Sequence, residues 1–169
     1  MLLIRPFLSG DHLGLVQTID AVCSEGRWMK TTRFEPTPGW THALEEPDCL
    51  CHLLLVAEDA GHVVGWCRTF PSENGAQATT LGIGLLPPYR DRGIGTALVR
   101  RSLRWTRERN YQRVRLTTHP DNARAIHVFT RCGFVFSGRV AQDALEMTCE
   151  PVSCSTMQGE NNRERYALD

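Results

Sequence analysis

Leu85-Leu86-Pro87-Pro88-Tyr89-Arg90-Asp91-Arg92-Gly93-Ile94-Gly95-Thr96-Ala97-Leu98 is the stretch that decides how this chain folds. An apolar run with strand character, 80–86, leads into the turn R-D-R-G-I-G, and an amphipathic helix begins inside that turn. Two glycines let the backbone come close to a ligand. The uncapped N–H groups of the new helix converge where its dipole is positive. That combination is a phosphate cradle, and it points to a ligand carrying a pyrophosphate. A P-loop is excluded because no G-K-[ST] closes the turn. A dinucleotide fingerprint is excluded because Leu98 stands where G-x-G-x-x-G needs its third glycine.

The rest of the chain sets bounds. At 169 residues it is long enough for one domain with a substantial core, expected over residues 1–150. Lys+Arg and Asp+Glu balance at 19 each, so charge gives no reason to expect nucleic acid or a membrane surface as partner. No apolar run approaches the roughly 20 residues of a membrane span. Residues 1–11 have neither a basic n-region nor a long apolar stretch, so a cytoplasmic setting is expected. Seven cysteines, an odd number, fit reduced thiols in such a compartment. Cys49-Leu50-Cys51-His52 suggests a metal, but no second C-x-x-C or His pair stands at ligand spacing. These cysteines are read as buried or edge thiols, and no metal is expected. The arginines between Arg90 and Arg115 alternate with apolar residues, the pattern of a wet helix and strand face more than of an RNA-binding stripe.

Periodicity supplies the elements. Leu2–Pro6 reads as a strand, and residues 13–23 carry Leu13, Val16, Ile19, Val22 and Cys23 at helical spacing. Residues 31–39 hold two prolines and form a loop, with a short helix over 40–46. Residues 52–58 and 63–70 make a hairpin across the turn 59–62. Residues 93–109 are a helix with Ile94, Ala97, Leu98 and Trp105 on its buried stripe, followed by a strand over Arg113–Thr118. A helix capped by Asp121 or Asn122 ends at Gly133; short strands follow at 134–136 and Ala144–Cys149. Gly82 and Gly84, inside the strand before the cradle, suggest a bulge that splays it from its neighbour and opens a slot. The order is that of an α/β fold with a mixed, largely antiparallel central sheet flanked by helices. Residues 151–169 are polar and aperiodic, and are expected to form a flexible tail.

R-x-x-G-x-G at 90–95 stands between L-G-I-G-L-L-P-P-Y and T-A-L-V-R-R-S-L; N-A-R-A-I-H-V-F-T-R-C-G-F follows at 122–134. This pair resembles the two signatures of the GCN5-related N-acetyltransferases, the GNAT family, in their usual order and separation. The likeness is good over residues 50–150 and only in outline before that. It implies the acyl-CoA N-acyltransferase fold, with acetyl-CoA as cosubstrate. It also implies direct attack, in a ternary complex, by a primary amine: an amino acid, a small amine, or a peptide or protein N-terminus. By position, the backbone of Asp91, Arg92, Gly93, Ile94, Gly95 and Thr96 would bind the pyrophosphate, with Arg90 as a nearby cation. The backbone of Ile83 and Leu85 would bind the pantetheine arm between the fourth and fifth strands, and Asn122 would steady it. Many members pair subunits through late strands, which here would give a homodimer through residues 134–149.

The chain departs from that family at one position. A tyrosine commonly precedes the G-F pair by four residues and protonates the leaving thiolate; here Phe129 stands there, beside the expected cofactor arm, and a phenyl ring has no proton to give. Another donor (Cys132, His127 or water), solvent protonation, and lost catalysis all remain open. The alternative function is therefore a catalytically weak acyl-CoA sensor. His119 has the titration range of a general base, with ordered water as its rival. The acceptor is expected among Glu25, Trp28, Arg33, Phe34, Glu35, Trp40 and Trp66, because 25–40 is long, aromatic and charged for a connecting loop. Glu25 or Glu35 would hold an amine, and Arg33 a carboxylate.

Overall fold

The cradle helix forms as its sequence demands. Gly93 takes φ +81, a left-handed conformation that favours glycine, and α3 (Ile94–Glu108) starts directly after it. Ile94, Leu98, Val99, Leu103 and Trp105 turn inward along α3. Of the arginines on the other face, Arg101 reaches back to the carbonyl of Ile4. The computed structural model describes residues 1–73, 75 and 77–151. The expected tail thus lies outside the described residues, apart from Pro151.

Eleven α-helices and strands follow one another among the described residues: β1 (Leu2–Pro6), α1 (His12–Ser24), α2 (Pro38–Glu45), β2 (Leu53–Asp59), β3 (His62–Pro71), β4 (Ala78–Leu85), α3, β5 (Arg113–Thr118), α4 (Ala123–Arg131), β6 (Val135–Ala141) and β7 (Ala144–Cys149). The strands form one sheet in the order β1-β2-β3-β4-β5-β7-β6, antiparallel everywhere except between β4 and β5. Alternation along β2 serves two cores. Leu55 and Ala57 join the cluster with α3, α4 and Phe134, while Leu54 and Val56 join the cluster with α1, Trp40, Trp66 and Phe70. The helices thus form layers on both faces of a mixed, largely antiparallel sheet.

Two expectations need correction. β6 extends to Ala141, well past the three residues expected. Nearly all of it is exposed, with no buried face to impose an apolar alternation on the sequence. The splay after Thr80 occurs, but without a bulge in β4, whose register with β3 runs unbroken from Thr79 to Leu85. Gly82 and Gly84 make room across the strands. A Cβ on Gly84 would stand 2.2 Å from the Trp66 ring, and one on Gly82 would stand 2.9 Å from Arg68 Nε. Each glycine is the register partner of the side chain lying over it.

Candidate active site

β4 and β5 pair over only three positions, Ala78–Thr80 against Arg113–Arg115. Beyond them the parallel strands part, which leaves a gap in the middle of the sheet. Leu86 donates to Val64 O, so alternation along β4 turns the polar groups of Ile83 and Leu85 away from β3 and toward this gap. A cavity of about 460 Å³ runs through it, reaching Gly95, Asn122 and Phe129 on the α3–α4 side and Trp40, Trp66 and Arg68 on the α1–α2 side. The cradle opens at its first end. No side chain caps α3, and the first helical bond returns from Ala97 N to Gly93 O. A Cβ on Gly95 would meet only Leu85, Ile83 and Val128, at 3.7–4.0 Å, so this residue borders open space in the cavity.

The charged residues of the cradle turn are already partnered. Arg90, expected as a cation near the pyrophosphate, grips Glu25 with both terminal nitrogens (Nη1 to Oε2 at 2.9 Å) and donates Nε to Leu85 O at 2.9 Å. Arg90 thereby holds the Glu25 carboxyl below its usual range. Glu25 is spent on fastening the end of α1 to the cradle turn, which corrects its reading as an amine ligand. Asp91, at φ +59, accepts from Arg124 Nε at 2.9 Å. That bond ties the turn to α4. The cradle is braced from two sides before any ligand arrives.

The other candidates divide. Trp28, Phe34, Glu35, Trp40 and Trp66 all line the cavity. Phe34 and Trp40 meet edge to face at 5.1 Å, and Trp40 meets Phe70 likewise at 5.4 Å. Arg33 does not line it; its side chain is 78% exposed and lies 3.7 Å from Glu35, so the expected carboxylate ligand is at the surface. Glu35 is the one carboxylate among the described lining residues, and it stands at the exposed mouth.

Arg68 is the residue that sequence reasoning missed. It points into the cavity from β3 and is mostly buried. It is held by Thr80 Oγ1 at 3.4 Å and by the rings of Phe70 and Trp40 at 5.0 and 5.9 Å, and no carboxylate partners it among the described residues. Burial lowers its affinity for the proton, but a guanidinium stays charged throughout the working pH range. The available signal was the pairing of glycines on one strand with Trp66 and Arg68 two residues apart on the previous one.

His119 stands outside the cavity lining, edge-on to Trp28 at 5.8 Å. Its Nδ1 accepts from Asp121 N at 3.1 Å, so the neutral ring carries its proton on Nε2. That bond engages the ring nitrogen a base would use, away from the cavity lining. Phe129 is 4% exposed and lines the cavity against Phe134 at 5.9 Å, with no hydroxyl to offer. The Asn122 side-chain oxygen accepts from Ala125 N at 3.2 Å, so it caps α4 where that helix borders the cavity.

The family model of the GNAT acetyltransferases matches residues 16–134, from within α1 to Phe134. The chain belongs to the GNAT family. Its fold also matches solved GNAT structures. An acetyltransferase of the family from Streptococcus pneumoniae superposes with a TM-score of 0.78 at 21% identity, over 89% of this chain and 99% of that one. The ribosomal-protein-alanine N-acetyltransferase of Brucella melitensis gives 0.75 at 23% identity, over 88% and 99%. A Salmonella typhimurium protein solved with its cofactor acetyl-CoA gives 0.77 at 16% identity, over 89% and 94%. No curated protein sequence matches the chain. In this GNAT chain no helix among the described residues is long and apolar enough to cross a membrane.

Proposed function

We propose that this protein transfers an acetyl group from acetyl-CoA to the primary amine of a small, amino-acid-like molecule whose carboxylate is held by Arg68. One observation carries the reading: a single cleft joins an uncapped helix N-terminus to a mostly buried guanidinium with no carboxylate partner among the described residues. The fit to acetyl-CoA rests on the same geometry. The N–H groups of Ile94, Gly95 and Thr96 would take the pyrophosphate, the gap-facing backbone of Ile83 and Leu85 the pantetheine arm, and the cavity beside Asn122 and Phe129 the thioester. Bound there, acetyl-CoA supplies an activated acyl group that a neutral amine attacks directly.

The chain's own residues then orient more than they titrate. A buried Arg exposes a planar fork matched to a carboxylate. Trp66 and Trp40 form an apolar wall beside it, and Glu35 at the mouth favours an approaching ammonium. With no other carboxylate among the described lining residues, the amine proton leaves to water through the open side of the cleft. Phe129 leaves the departing thiolate to be protonated by solvent. β6, the outer strand, exposes Val135, Phe136 and Val140, and a homodimer formed along it would cover them.

Calorimetric titration tests the cofactor half. Wild type should bind acetyl-CoA, and Gly95→Trp should lose it by filling the cradle. Gly95→Ala, whose new Cβ meets nothing closer than 3.7 Å, should stay folded and bind more weakly. Equal affinity in all three would remove the cradle from the account.

A further inference from the structure

Away from the cleft, the loop between α2 and β2 gathers four metal-ligating side chains. His42 lies in the last turn of α2, Cys49 and Cys51 in the loop, and His52 at the foot of β2. One ligand atom from each lies within 4.8 Å of all the others. His42 Nε2 is 3.2 Å and His52 Nδ1 3.4 Å from Cys51 Sγ, and Cys51 N donates to Cys49 Sγ at 3.4 Å. The two sulfurs are joined as a disulfide in this structure. We propose that in the reduced protein these four residues bind one zinc-class divalent ion, with a Cys2His2 ligand set.

Three arguments support this. First, the chemistry is closed: two thiolates and two imidazoles make a tetrahedral structural zinc set with no open position, and two thiolates balance the ion's charge. Metal–sulfur and metal–nitrogen lengths of about 2.3 and 2.0–2.1 Å give sulfur–nitrogen edges of about 3.5 Å in a tetrahedron, close to the separations already present. The two sulfurs must part, and the other ligand atoms start within 4.8 Å of one another. Second, a disulfide sulfur is a weak hydrogen-bond acceptor, yet two imidazole nitrogens converge on one of these. A metal gives both nitrogens a strong partner. Third, His52 is fixed before any metal arrives. It is 6% exposed and packed edge-to-face against Phe70 at 6.0 Å and His42 at 5.5 Å. Its Nε2 is buried without a hydrogen-bond partner, so packing aims its Nδ1 at the cysteines.

The sequence displays Cys49, Cys51 and His52 together but hides the fourth ligand, His42, which stands seven residues before Cys49 on a helix, outside any C-x-x-C spacing. The position also gives the ion a role. His52 packs on Phe70, Phe70 on Trp40, and Trp40 lines the acceptor end of the cleft. The metal would clamp α2 to β2 and stiffen that wall.

The test uses full-length protein, reduced, stripped with a chelator and confirmed reduced by thiol titration. Cobalt(II) is then titrated in place of zinc and followed by absorption, with melting temperature recorded with and without zinc. The expected result is one ion per chain, the intense d–d bands of four-coordinate cobalt with a thiolate charge-transfer band, and a melting temperature raised by zinc. Cys49→Ser and Cys51→Ser, checked for folding by circular dichroism, should lose the charge-transfer band and the thermal shift. His42→Ala should weaken binding at least tenfold. The proposal fails if reduced protein gives only weak octahedral cobalt bands. It also fails if the two serine variants bind as wild type does, because the remaining thiols would then be responsible.

Discussion

Replacing Arg68 with methionine removes the mostly buried cation that has no carboxylate partner among the described residues, and keeps most of the apolar volume that packs on Phe70 and Trp40. If the acceptor's carboxylate seats on this fork, the variant loses a charge-assisted pair in a mostly buried site, worth about 2–4 kcal/mol. At about 1.36 kcal/mol per decade, that is roughly a 30- to 900-fold fall in kcat/KM. Most of it should appear in KM, since the carboxylate is remote from the reacting carbonyl and is held equally in ground and transition states. Arg68→Lys keeps the charge without the planar fork and should fall between. The assay compares an amino-acid acceptor with its carboxamide in both proteins. Wild type should prefer the acid strongly, and Arg68→Met should lose that preference. The melting temperature should move by only about 3 °C, since the lost ring contacts, about 0.5–2 kcal/mol each, oppose the relief of a buried unpaired charge. A variant that keeps the preference for the acid, or that loses both acceptors equally, would refute the reasoning.

Other perturbations probe the frame. Phe129→Tyr places a hydroxyl in the cavity wall beside the expected thiolate. Steady-state kinetics should show kcat held or raised by up to about tenfold, and a tenfold fall in a protein of unchanged stability would give the bare ring a packing role that the hydroxyl disturbs. Gly84→Ala drives a Cβ to 2.2 Å from Trp66, an overpacking that should cost about 1–3 kcal/mol and lower the melting temperature by roughly 3–10 °C in calorimetry. Because Arg90 depresses the pKa of Glu25, the ion pair's contribution is complete above the ordinary glutamate value of about 4.5 and fades as pH falls through the lower folded-state value. The stability gap between wild type and Glu25→Gln should therefore be constant at pH 6–7 and close on acidification.

The fold was largely legible because its decisive elements are local. R-D-R-G-I-G sets a left-handed residue at Gly93 and a helix with an unmistakable apolar stripe, and the hairpin at 59–62 carries its own turn residues. What escaped the sequence is what depends on pairing across strands. β6 has no buried face to imprint an alternation. Gly82 and Gly84 serve Trp66 and Arg68 on the adjacent strand, a relation visible only once the register is known. The site follows the same division. The cradle backbone could be named from spacing, but partnerships could not. Arg90 and Glu25 looked like two ligands and are one ion pair. Arg33 looked like the carboxylate anchor and is at the surface, while the buried cation is Arg68.

The most direct measurement is mass spectrometry of reactions containing isotopically labelled acetyl-CoA and paired acceptors, each amino acid beside its decarboxylated amine, with spermidine and short peptides included. The account expects labelled acetyl on the amino group of carboxylate-bearing small molecules and far less on their decarboxylated partners. Label on polyamines or peptides instead would contradict the assigned acceptor. Bound acetyl-CoA with no label transferred to any acceptor would contradict the claim that this GNAT chain is a working transferase.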